Sequence, residues 1–294
     1  MAEHRFGGDW TEEKLTRLRK YLEAYTTIFT RNLQAQYFRT TYVDAFAGTG
    51  SREERKAKGG TEAPLGLILD DDDARSFQAG SARIALAANP GFDQYLFIEA
   101  NPSFAEELTK LQREFPGKTI TVVSGDANLR IQEWCQRMDW SKNRAVVFLD
   151  PYGMEVEWST IEAIASTQAI DVWILFPLGQ AVNRLLTRKQ PPPAAWAKRL
   201  TIFFGTQGWE TEFYRPARQL SLLDGVEDVE RSADFESISR FFLDRLGGVF
   251  AAVSQNPLPL WNSKGVPIYL LCFAVGNPRK ADLALRIANN ILRG

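Results

Sequence analysis

The chain of 294 residues carries a formal net charge of -1 and enough apolar content for one large core, so no global charge draws it to nucleic acid or membrane. No apolar run reaches the roughly 18 residues that cross a bilayer, and the start, Met1-Ala-Glu-His-Arg-Phe-Gly-Gly, has no apolar signal core, so a cytoplasmic protein without a membrane partner is expected. Two cysteines, Cys135 and Cys272, are too few for a disulfide framework or a four-thiolate zinc site, and His4 as the single histidine argues against a Ser-His-Asp triad or histidine-ligated metal. No metal site is expected.

Apolar residues recur at helical spacing from Leu15 through Leu18, Tyr21, Leu22, Tyr25, Ile28 and Phe29, which predicts a long helix over Thr11 to Gln36 with Thr11 as its cap. In that frame Lys14 falls at N3, where a capping box would place Glu. Strand-like apolar runs then alternate with helical patterns. The strands are Tyr42–Phe46, Tyr95–Glu99, Ile120–Ser124, Ala145–Leu149 and Val172–Phe176. The helices between them are Ser81–Ala88, Phe104–Phe115, Leu129–Arg137 and Thr160–Ser166. Apolar strands without polar alternation, separated by helices, indicate a parallel sheet covered on both faces. Near the end, Gly248–Ser254 and Ile268–Val275 are two strands joined only by a loop from Gln255 to Pro267, and a helix over Arg279–Leu292 follows. Five parallel strands with a terminal antiparallel hairpin is the layout of class I methyltransferases rather than of nicotinamide-binding folds. The expected architecture is therefore a doubly wound α/β, Rossmann-like fold. It has a mostly parallel seven-stranded sheet and an N-terminal helix, and forms one domain over residues 1–294.

Two insertions interrupt this scaffold, at 52–79 and 190–225. Loops of that length in a compact domain are usually lids or partner surfaces. Between Arg184 and Arg218 lie Arg184, Arg188, Lys189, Lys198, Arg199, Arg215 and Arg218, opposed only by Glu210 and Glu212, and Asp224 to Glu236 is mostly acidic. The cations interleave with Trp196, Phe203, Phe204, Trp209 and Tyr214. Single-stranded nucleic acid is bound by such mixtures of charge and stacking rings, although a basic run is more often only a solvated face.

Chemistry concentrates at the strand ends, where a doubly wound sheet binds its ligands. Tyr42-Val-Asp-Ala-Phe-Ala-Gly-Thr-Gly-Ser51 reads as a buried strand entering a glycine turn, and glycine permits close approach of backbone to ligand. An acid at Asp44, just ahead of the turn, would repel a phosphate and suits a cofactor carrying an ammonium group, of which S-adenosylmethionine is the common one. Asp44, with Phe46, Ala47, Gly48 and Gly50, would hold its methionine part. Glu99 can accept bonds from both ribose hydroxyls, and Asp126, with Ala127, can receive the adenine amino group. Asp126 ahead of Leu129 also reads as a helix N-cap. In Val147-Phe-Leu-Asp-Pro-Tyr-Gly-Met154, Asp150 and the Pro151 carbonyl offer acceptors for an amino group and Tyr152 offers a ring to stack on. A plain turn is the alternative there. The nicotinamide fingerprint fails because its third glycine falls on Glu53, and no Gly-Lys-Ser/Thr follows the turn as a P-loop requires.

The chain resembles the three-Cys-motif partner proteins. The likeness covers most of its length: the Trp10-to-Tyr25 start, Tyr42 to Gly50, Gly80-Ser-Ala-Arg-Ile-Ala-Leu86, Phe97-Ile-Glu99, Phe148-Leu-Asp-Pro-Tyr-Gly-Met154 and Phe176-Pro-Leu-Gly-Gln-Ala-Val-Asn-Arg184. That resemblance implies a class I methyltransferase-like fold and a protein partner, a radical-S-adenosylmethionine-like protein with a three-cysteine cluster. Wider relatives methylate amino groups of nucleic acid. Adenine-N6 enzymes carry Asp/Asn-Pro-Pro-Tyr/Phe, whereas this chain lacks the second proline and is closer to the Asp-Pro-Phe-Gly of a transfer-RNA guanine-N2 family. The expected function is S-adenosylmethionine-dependent methylation of an amino nitrogen, on RNA or single-stranded DNA. The alternative is a cofactor-binding partner subunit with little catalysis of its own.

Overall fold

Helix α1 (Asp9–Arg31) buries Leu18, Tyr21, Leu22 and Tyr25 in one stripe, as its apolar spacing dictates. After it come β1 (Arg39–Ala45), α2 (80–87), β2 (Gln94–Glu99), α3 (Pro102–Glu114), β3 (Ile120–Ser124), α4 (Ala127–Arg137), β4 (Asn143–Leu149), α5 (Trp158–Ser166) and β5 (Ile170–Phe176). A π-helical turn, Leu178–Val182, runs into one further helical turn at Asn183–Leu185. Then follow α6 (Ala194–Phe204), α7 (Gly208–Phe213), β6 (Tyr214–Pro216), β7 (Val229–Arg231), α8 (Phe235–Gly247), β8 (Ala252–Val253), β9 (Leu258–Trp261), β10 (Pro267–Val275) and α9 (Ala281–Arg293). The computed structural model describes residues 9–45, 80–151, 153–188, 190–216, 229–262 and 264–294. Among these, no helix is long and apolar enough to cross a membrane.

The main sheet has the order β3-β2-β1-β4-β5-β10-β8. β1 to β5 are parallel, and β10 runs antiparallel to β5. Alternating residues feed two cores. On β4, Ala145, Val147 and Leu149 join Ile131, Ile161 and Phe242 on one face. Val146 and Phe148 join Leu18, Tyr21, Ala85 and Ala288 on the other. Every residue of β5 is buried, and its sequence is apolar apart from Asp171, whose carboxylate accepts a hydrogen bond from Tyr21 Oη at 2.8 Å.

Three expectations are corrected. Helix α1 is already helical at Asp9, so Thr11 is not its cap, and it ends at Arg31 rather than Gln36. The Gln255 to Pro267 stretch is not all loop. β9 pairs with β10 on the same edge as β8, so the seventh strand position is shared by two short strands, broken at residues 254–257, with Pro257 just ahead of β9 and Pro259 within it. A proline cannot donate to a ladder, and such breaks are typical of edges. The 190–225 insertion, as far as it is described, is structured as α6, α7 and β6, with β6 paired to β7. The 52–79 insertion lies outside the described residues.

Candidate functional site at the acidic switch point

Strand order reverses between β1 and β4, and that crevice is where a doubly wound sheet receives a ligand. Asp44 of β1 is in register with Phe148 of β4, and Asp150 stands two residues beyond Phe148, so pleat alternation turns both carboxyls toward the α1 side. Asp44 is buried and accepts hydrogen bonds from Ser81 Oγ at 2.7 Å and Tyr42 Oη at 3.2 Å. Burial pushes its carboxyl up to about 7; the Asp150 charge adds to the rise, while both hydroxyls and Lys14 oppose it.

Lys14 reaches into this crevice from α1. Its side chain is 0 % exposed, its Nζ donates to Asp150 Oδ2 at 2.8 Å, and it stands 5.7 Å above the ring centre of Phe148. Burial lowers the Lys14 pKa, opposed by the charge and hydrogen bond of Asp150 and by the charge of Asp44. Burial likewise raises Asp150, and Lys14 pulls it back. From sequence alone Lys14 reads only as a capping position. A lysine four residues before the apolar position Leu18, in an otherwise docked helix face, was the available signal.

Glu99 ends β2, 0 % exposed. Its Oε1 accepts the Asn101 amide at 2.5 Å, and its Oε2 is buried without a partner among the described residues. Burial lifts this carboxyl to about 7, with the Glu155 charge contributing and the Asn101 amide opposing. Asp126 is exposed and caps α4, its Oδ1 accepting the Leu129 amide at 3.0 Å. Its capping role is thus realised, and the adenine role would have to share that carboxylate. Ala127, beside it, is buried in the α4 face of the core.

The segment after Asp150 is fixed by a residue that sequence reasoning passed over. Asn128 is buried; its Nδ2 donates to the Glu155 carbonyl at 2.9 Å, and its Oδ1 accepts from the Glu157 amide at 2.9 Å and Thr160 Oγ1 at 2.8 Å. All of its polar capacity but one N–H is thereby tied to the β4–α5 connection. The Pro151 carbonyl accepts the Gly153 amide at 3.0 Å, an i→i+2 turn that leaves one lone pair for another donor. Tyr152 and the turn residues Phe46, Ala47, Gly48 and Gly50 lie outside the described residues. The structure therefore brings together Asp44, Asp150 and Lys14 at the switch point, with Glu99 at the adjacent strand end.

The aromatic residues assigned to nucleic-acid stacking are corrected. Phe203, Phe204, Trp209 and Tyr214 are buried, and Trp196 is half-buried. Phe203 stacks on Phe242 at 5.9 Å and Trp209 Nε1 donates to Thr201 at 3.1 Å, so these rings form the core beneath α6 and α7. Their helical spacing turns the apolar side inward and leaves Arg188, Lys198 and Arg215 exposed.

A sheet of this order, with β10 antiparallel and acids at the ends of its central strands, is the class I methyltransferase fold. No protein-family model and no curated protein matches the chain. Among solved structures it is similar to a Legionella pneumophila protein of family DUF519, at 12 % identity and TM-score 0.47 over 97 % of this chain and 92 % of that one. A candidate methyltransferase from Thermobifida fusca aligns at 12 % identity and TM-score 0.39 over 92 % and 84 %. A DUF574 protein from Streptomyces avermitilis aligns at 6 % identity and TM-score 0.36 over 88 % and 82 %. Likeness at this level carries no argument about activity, and the fold assignment rests on strand order.

Proposed function

We propose that this chain binds S-adenosylmethionine and methylates an amino nitrogen of a nucleic-acid base. The observation that carries the cofactor half is Glu99: a buried carboxyl with Oε2 unpartnered among the described residues is a standing cost. A ribose diol at the end of β2 would relieve it. When bound, the cofactor supplies an electrophilic methyl group. The chain's own part is to hold and orient. Glu99 accepts the two hydroxyls, and Asp150 and the remaining lone pair of the Pro151 carbonyl accept the N–H groups of the target. Those bonds draw the nitrogen lone pair out of conjugation. Tyr152 is assigned stacking of the target ring on sequence alone. The exposed cations Arg184, Arg188, Lys198 and Arg215 supply the positive surface for a phosphate backbone.

A second reading is favoured by one observation. The carboxylate meant for the substrate is already engaged by Lys14, as expected of a cofactor-holding subunit that docks a three-cysteine protein and does little chemistry itself. The test is tritiated methyl transfer with total RNA, with denatured DNA and with the candidate partner protein, each separately, beside calorimetry with S-adenosylhomocysteine. Labelled RNA or DNA from the chain alone supports the proposal. Cofactor binding with no labelled nucleic acid, together with capture of the partner, supports the second reading. Tight binding of NADH and none of S-adenosylhomocysteine refutes both.

A further inference from the structure

The chemistry proposed for Asp150 does not call for a lysine, yet Lys14 is completely buried beside it. Taking an ammonium out of water costs several kcal/mol even after relaxation. The Asp150 carboxylate at 2.8 Å is what compensates that charge. The groups around Asp150 come from three elements: Lys14 from α1, Asp44 and Tyr42 from β1, and Ser81 from α2, the last two bonded to Asp44. Without a cation, the two carboxyls at the switch point would disfavour each other's ionisation. An ionised carboxylate is an acceptor only, and its hydrogen bonds are roughly twice as strong as neutral ones. That is the state that accepting an amino N–H demands.

Resting on the methyltransferase reading, we propose that Lys14 is a positioning residue of the transfer site: it clamps Oδ2 of Asp150 and holds that carboxylate ionised for the incoming amino group. Helix α1 is thereby part of the catalytic unit, because the docked stripe Leu18, Tyr21, Leu22 and Tyr25 is what carries Lys14 to β4. Asp44 takes the other role. Burial raises its carboxyl to about 7 against the pull of its two hydroxyl donors and Lys14, which disfavours a second full negative charge in the cluster.

The experiment is a carboxyl-carbon NMR titration of the full chain, with Asp150→Asn assigning the resonance. Wild-type Asp150 is expected to be ionised at neutral pH. In Lys14→Met its midpoint should move up by about 1–3 pH units, the size of a lost opposite charge, and Lys14→Arg should restore it. In the methyl-transfer assay the acid limb of the pH–rate profile should move with it. S-adenosylhomocysteine affinity should stay within about threefold, under 1 kcal/mol. A wild-type Asp150 protonated at neutral pH overturns the inference whether or not the variant folds, as does an unmoved midpoint in Lys14→Met. Failure of the wild type to bind S-adenosylhomocysteine overturns the methyltransferase reading instead, through a signal that does not depend on Asp150.

Discussion

Glu99→Gln preserves the shape of a side chain with no exposed surface, and preserves an acceptor for the Asn101 amide, while removing its charge. The carboxyl is raised from 4.5 to about 7 in the folded chain. At 1.36 kcal/mol per pH unit, ionising it in place costs about 3 kcal/mol. Below pH 4.5 both folded and unfolded chains hold the proton and nothing is lost. Between there and about 7 the unfolded chain ionises first, so wild-type stability falls with rising pH and then levels off. The variant lacks this slope. Urea denaturation across that range should therefore show the variant gaining about 3 kcal/mol on the wild type from the acid end to the alkaline end. Asp44 and Asp171, also pushed to about 7, titrate in both proteins and cancel from the difference. Calorimetry completes the test: the amide should bind S-adenosylhomocysteine more weakly by about 1–3 kcal/mol, having exchanged an acceptor for a donor. A pH-independent stability difference would refute the buried-carboxyl account, and unchanged affinity would refute the diol assignment.

Asp150→Asn should abolish methyl transfer and leave S-adenosylhomocysteine affinity within a few fold, while urea denaturation registers a loss of roughly 3–5 kcal/mol from stranding the Lys14 ammonium. Gly179→Ala should lower stability by about 1–3 kcal/mol, because the added carbon would overlap the Pro267 carbonyl oxygen, whereas Gly117→Ala, in open space, should leave the melting temperature unmoved. Trp209→Phe should destabilise by about 1–3 kcal/mol through lost volume and the lost Thr201 bond, without altering the salt dependence of nucleic-acid binding. Replacing Arg188, Lys198 and Arg215 with alanine should flatten that salt slope by about 0.7 per phosphate contact removed; unaltered salt dependence would sink the basic-surface assignment.

The central strands were legible because burial on both faces writes a continuous apolar run, as in Val172–Phe176, and flanking helices supply the contrast. The strand-end acids were legible for a related reason. A charge at the end of such a run, as at Asp44 or Asp150, has few local explanations. The α6–α7 region misled because its cations draw attention away from its spacing. Leu200, Phe203 and Phe204 recur at helical intervals between Pro193 at the N-cap and Gly205 in a left-handed C-cap, and Trp209 and Phe213 continue the spacing in the next helix. Lys14 was opaque for a different reason. Its partner lies 136 residues away, and no local pattern encodes a pairing decided by where a helix lands on a sheet.

Helix α1 rests not only on the sheet but against α9, where Arg17 Nη1 donates to the Ile291 carbonyl at 2.6 Å across a separation of 274 residues. Docking α1 on both the sheet and the closing helix closes loops of that length, and their closure entropy must be met before such non-local contacts reward it. The lysine of the switch point would then arrive after the acids it neutralises. The half-built molecule would carry Asp44 and Asp150 without their cation, and docking of α1 would be the step that converts a folded scaffold into a finished site. Damage to α9, far from any strand end, would accordingly be felt at Asp150.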